Sequence, residues 1–65
     1  MIKQIDNLRV TLVETMRCNE QGEFYTLWEV ITDGEWGEVM STEHESESEA
    51  RRAFDTEVKA CEQEQ

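Results

Sequence analysis

"FYTLWEVITDG", Phe24 to Gly34, holds the strongest strand signal in the chain and a turn dipeptide. Its first part, Phe24–Thr32, is dense in aromatic and β-branched residues, the types that suit a pleated, half-buried surface. Asp33-Gly34 then supplies a dipeptide that accepts the positive φ of a tight hairpin turn. Working outward, "LRVTLVETM" (Leu8–Met16) alternates. Leu8, Val10, Leu12 and Met16 point one way; Arg9, Thr11, Val13 and Thr15 point the other. "RCNEQGE" between the two segments carries Asn19 and Gly22, residues that favour turns. A third, shorter strand is expected at about residues 36–41.

Register follows from sorting the faces. A five-residue loop over 18–22 pairs Arg17 with Glu23. Leu12 then faces Trp28, Val10 faces Val30 and Met16 faces Phe24, all on one side. The other side receives Val13, Tyr25, Leu27 and Ile31 with Arg9, Thr11, Thr15 and Glu29. A slip of one residue would mix the faces, so the sorted register is preferred. The third strand has two settings. A two-residue turn at Asp33-Gly34 puts Val39 on the core face and Trp36 and Met40 opposite; a five-residue loop reverses this.

"STEHESESEA", Ser41–Ala50, leads from the last strand into a helix. Ser46 and Glu49 have capping-box spacing, with Thr42 and Glu45 as an earlier alternative. Ala50, Ala53, Phe54, Val58 and Cys61 then recur on one helical face. Glu47 and Glu49 at the start, with Lys59 near the end, suit the helix dipole. The expected fold is α+β: a three-stranded antiparallel β-meander followed by one C-terminal helix packed on one face (βββα). It forms a single domain over 1–65, with strands at about 8–16, 24–32 and 36–41 and a helix at about 47–61. The helix is expected across the face bearing Leu8, Val10, Leu12, Phe24, Trp28 and Val30.

A chain of 65 residues has a small core and marginal stability on its own. No apolar run approaches the ~18 residues that cross a membrane, and the first residues lack a secretory apolar region. The expected location is the cytoplasm. Cys18 and Cys61 lie at no motif spacing and read as reduced thiols. His44 sits among glutamates with no nucleophile placed near it, and reads as an exposed polar residue near a helix start. Phosphate-loop, dinucleotide, metalloprotease and paired-cysteine motifs are missing, and "DGEWGE" lacks the ligand order of a calcium loop. No enzyme, metal or cofactor is expected.

The net charge is −10, and its placement is uneven. Residues 1–17 sum to +1 and residues 51–65 to −1. Residues 18–50 carry every unit of the excess, −10, without one Lys or Arg. Direct nucleic-acid binding is disfavoured and a basic protein partner is favoured. In an extended chain alternate residues lie about 6.6 Å apart on one side. Glu43, Glu45 and Glu47 would then form a row of anions comparable to phosphates on a nucleic-acid strand, which rise ~3.4 Å per nucleotide. Glu35, Trp36, Glu38 and Glu49 extend this candidate partner-binding surface; an ordinary solvated face is the alternative. The second candidate is the sheet face bearing Val13, Tyr25, Leu27 and Ile31. One helix cannot cover both faces, so this one is available for a homodimer or another partner.

"WEVITDGEWGEVMSTEHESESEARRAF" (Trp28–Phe54), read as hairpin plus helix in a tiny acidic chain, resembles small phage-encoded accessory proteins. These include anti-CRISPR proteins and other acidic inhibitors of host nucleic-acid machinery. The resemblance is one of size, charge and architecture. It implies a non-enzymatic protein in the bacterial cytoplasm that binds a nucleic-acid-handling host complex, blocking or imitating nucleic acid.

Overall fold

A computed structural model describes residues 1–35 and 37–63, with Glu38 and Val39 described by backbone alone. The architecture is α+β, with one antiparallel sheet and one C-terminal helix. The strands are β1 (Ile2–Ile5), β2 (Leu8–Cys18), β3 (Phe24–Gly34) and β4 (Gly37–His44), and the helix is α1 (Glu47–Gln63). The sheet has four strands in chain order, not three. The additional strand, β1, pairs with β2 through Ile2↔Thr11 and Ile5↔Leu8. Asp6 and Asn7 alone connect them, and Asp6 adopts φ 49°, a value Asp tolerates better than most residues.

The β2–β3 register is shifted by two residues from the sequence expectation. Leu12 pairs with Val30, Val10 with Thr32, Met16 with Thr26, and Cys18 with Phe24. The loop is therefore Asn19–Glu23. The Asn19 carboxamide oxygen causes this: it accepts from the backbone N–H groups of Gln21 and Glu23, both at 2.9 Å. The Asn19 N–H also donates to the Glu23 carbonyl at 2.9 Å, closing the loop one residue later than expected. A shift of two keeps every side chain on its expected face, so the sorting survives although the partners change.

Asp33 and Gly34 belong to β3 rather than to a turn. Gly34 pairs with Leu8 on one side and Gly37 on the other, and Glu35 follows in a turn, so the bend comes after Gly34 and not at Asp33-Gly34. A Cβ on Gly34 would lie 3.1 Å from Leu8 Cδ2, so the close pairing suits glycine. Thr32 pairs with Met40 but Asp33 with Glu38, so Val39 is the extra residue of a β-bulge. Beyond it Met40, Thr42 and His44 lie opposite Thr32, Val30 and Trp28, on the core side. The expected position of Trp36 falls outside the described residues.

The core contains Ile5, Val10, Leu12, Val30, Ala50, Phe54 and Cys61, with Leu8, Trp28, Ala53 and Val58 packed around it. Phe24 does not join. It and Met16 are 72% and 67% exposed, because the two long strands run past the start of the helix. The domain is 45 Å in its longest dimension and 14 Å in its shortest. Its far end, from about Val13 round to Leu27, is a two-stranded arm. The helix extends to Gln63, so Lys59 lies before the last turn and no basic residue stands there to meet the dipole.

Candidate functional site: an acidic corner between the last strand and the helix

The sequence expects a row of glutamates on extended chain. The row breaks. Only Glu43 lies in β4; the chain bends at Glu45 and Ser46, and α1 begins at Glu47. Ser46 sets the break by capping the helix: its hydroxyl accepts from the Glu49 N–H at 3.2 Å. Glu43, Glu45, Glu47 and Glu49 thus turn a corner, and all four are exposed.

Their electrostatic partners differ. Glu43 stands directly opposite Glu29 across β3 and β4, a repulsive pairing. Arg17 reaches across the sheet to Glu43 at 3.0 Å, and the Ser41 hydroxyl donates to Glu29 at 2.9 Å. Glu47 receives both Arg51 Nη2 at 2.8 Å and Arg51 Nε at 3.0 Å, one turn along the helix. Asp33, also in the acidic block, receives Arg9 at 2.9 Å. The Arg9 hydrogen bond holds the Asp33 carboxyl below the usual carboxylate range, with the guanidinium charge adding to it and partial desolvation opposing. Three arginines from outside the block therefore each take one of its acids. Glu35, Glu45 and Glu49 are exposed with no side-chain cation at ion-pair distance among the described residues. Trp36 and the side chain of Glu38 lie outside the described set.

Beside this corner, an open groove of about 570 Å³ runs between β4 and α1. Val30, Met40 and Ala53 form apolar lining, while His44, Glu49, Glu57 and one cation, Arg52, supply polar groups; Arg52 lines the same groove as Glu49 without reaching it at ion-pair distance. His44 is half-buried on the core side rather than exposed, with Nε2 2.9 Å from the Thr42 hydroxyl. Sequence reasoning missed the groove because its β4 wall exists only with the bulge at Val39. Met40, which the sequence leaves with two possible faces, is the one available signal.

The outer sheet face carries the second candidate set. Val13 and Tyr25 are 37% and 45% exposed, Leu27 and Ile31 are half-buried, and Ile2 on β1 adds to the patch at 67%. The Arg9–Asp33 and Arg17–Glu43 pairs cross the same face. Cys18 is exposed on the arm and Cys61 is buried in the core, so they form no disulfide. Among the described residues no cluster of His, Cys, Asp or Glu has the arrangement to hold a metal ion, and no helix is long and apolar enough to cross a membrane. No family model, curated protein or solved structure matches the chain.

Proposed function

We propose that this protein is a non-enzymatic acidic binding module. It inhibits or modulates a basic, nucleic-acid-handling protein complex, as anti-CRISPR-like proteins do, by occupying a surface meant for DNA or RNA. The observation that carries this reading is the set of exposed acids at the strand–helix corner, Glu45 and Glu49, together with Glu35, which the protein's own arginines leave uncompensated. Isolated acids on a surface are ordinary. Here Glu45 and Glu49 stand together at the corner beside Glu43 and Glu47, so their fields add there, while Glu35 extends the acidic surface at the other end of the β3–β4 hairpin.

Complementary charge speeds encounter and makes binding salt-sensitive. The test immobilises the protein and captures partners from bacterial lysate at low and high salt. Wild type is compared with a triple variant carrying Glu35→Gln, Glu45→Gln and Glu49→Gln. The expected result is a nucleic-acid-handling protein retained by wild type at low salt, displaced by added DNA or RNA, and lost with the variant. Retention that is insensitive to salt, nucleic acid and the variant defeats the reading.

The exposure of Val13 and Tyr25 favours a second reading, a small assembly domain that dimerises through the outer face with Leu27 and Ile31. Sedimentation of Leu27→Glu against wild type tests it. An unchanged mass for both removes it.

A further inference from the structure

The arm presents more than apolar side chains. It also has open backbone edges. β1 covers β2 only as far as Leu12, whose N–H donates to the Met1 carbonyl at 2.8 Å and whose carbonyl accepts from the Met1 nitrogen at 3.0 Å. In an antiparallel sheet the backbone groups of alternate residues point to the same side. Leu12 points away from β3, and so do Glu14, Met16 and Cys18. Among the described residues no strand lies beside these three on that side. On the opposite edge of the arm, Phe24–Leu27 likewise extends beyond the last β3–β4 pair, Trp28↔His44. A two-stranded ribbon is marginal in water by itself, and an open edge is a template for another strand.

We propose that the open edge of β2 pairs with the same edge of a second copy of this chain, antiparallel about a two-fold axis at Met16, to give one continuous sheet. Charge selects the β2 edge over the β3 edge. Val13–Cys18 holds one Glu and one Arg and is neutral, within a chain of net charge −10. The β3 edge adjoins the acidic corner, where two copies would bring Glu43 and Glu45 toward their counterparts.

Symmetry and backbone direction select the register. A two-fold axis perpendicular to the sheet places one residue, or its alternate-face neighbour, opposite itself. Centring on Glu14 or Arg17 opposes like charges, which is unfavourable. Centring on Thr15 leaves the Cys18 backbone unmatched, since its opposite position, Leu12, is already bonded to Met1. Centring on Met16 pairs Met16 with Met16 and Glu14 with Cys18, which satisfies every outward backbone group of the three residues. It also sets the two exposed Met16 side chains together and directs each acidic Asn19–Glu23 loop toward the start of the other copy's β1, where Lys3 is the charged residue. This contact is edge to edge and is separate from the outer-face reading above.

The experiment combines sedimentation with cross-linking. Wild type is expected to pass from monomer to dimer across a concentration series. Met16→Lys, which sets two cations at the axis of an already exposed position, is expected to remain monomeric where wild type is half dimeric, with an unchanged circular dichroism spectrum. Met16→Cys in a Cys18→Ser background is expected to form a disulfide-linked dimer under mild oxidation. A hydrogen-bonded antiparallel pair has Cα atoms about 5.5 Å apart, within the range a disulfide spans. Leu27→Glu, on the sheet face, should leave this cross-link in place. A monomer up to the millimolar range, a dimer that survives Met16→Lys, or no cross-link at Met16→Cys overturns the proposal.

Discussion

Thr32 shows how a single buried atom can work against a fold. It is 2% exposed on the core face of β3, and its hydroxyl has no hydrogen-bond partner among the described residues. A buried, unmatched polar group costs about 1–3 kcal/mol, whereas an apolar group of the same shape carries no such cost. Val has that shape and a strand preference at least as strong. Thr32→Val should therefore raise stability by about 1 kcal/mol in urea unfolding. Its neighbour Asp33 behaves oppositely. Its carboxyl is held below the usual range by the hydrogen bond from Arg9, so the folded state favours the charged form. The stabilisation is present above the unfolded-state pKa, near ~3.9, and is lost as pH falls through the lower folded value. Asp33→Asn should unfold at lower urea than wild type at neutral pH. The two should converge only in strong acid, measured as urea midpoints across pH.

At the start of α1 a cap and an ion pair stabilise the same turn. Ser46 satisfies the Glu49 N–H, and Glu47 pairs with Arg51 on the exposed surface. A lost cap typically costs ~1 kcal/mol, and an exposed pair one helical turn apart about 0.3–0.5 kcal/mol. Ser46→Ala should therefore destabilise more than Glu47→Gln in parallel denaturation curves, although Glu47 carries the visible ion pair. This cap was legible in the sequence because its spacing is local. So were the helix face and the face assignments of β2 and β3, since alternation is a property of each strand alone. β1 was not legible: Ile2 and Ile5 fall on opposite faces, so the strand shows no alternation, and its pairing depends on the turn at Asp6 and Asn7. The β2–β3 register was missed by two residues because a side chain, Asn19, sets the loop closure. Met16 and Phe24 alternate like core residues, but whether they are buried depends on how far the helix reaches, which no strand pattern contains. The acidic corner was half legible. The acids were evident from composition, while their division into compensated and uncompensated groups rests on arginines distant in sequence.

At the scale of the whole molecule, the acidic excess and the three ion pairs make opposing claims about salt. Exposed pairs contribute about 0–1 kcal/mol each, and added salt weakens them. Repulsion among 16 acidic residues set against six basic ones is also weakened by salt, which stabilises the compact state. The pairs act across distances near 3 Å. Repulsion between glutamates without cations acts over longer separations, which are screened more fully once the Debye length contracts to about 10 Å or less. Repulsion should dominate, so the urea midpoint should rise as NaCl is added. Neutralising Glu35 and Glu45 with Gln, which spares the Glu49 charge that suits the helix start, should raise the midpoint at low salt and flatten its salt dependence. The same field would steer a basic partner, so this double variant should gain stability while binding the partner more weakly. A midpoint that falls with NaCl would mean that the ion pairs outweigh the repulsion. The corner would then lack the unbalanced field on which the binding proposal depends.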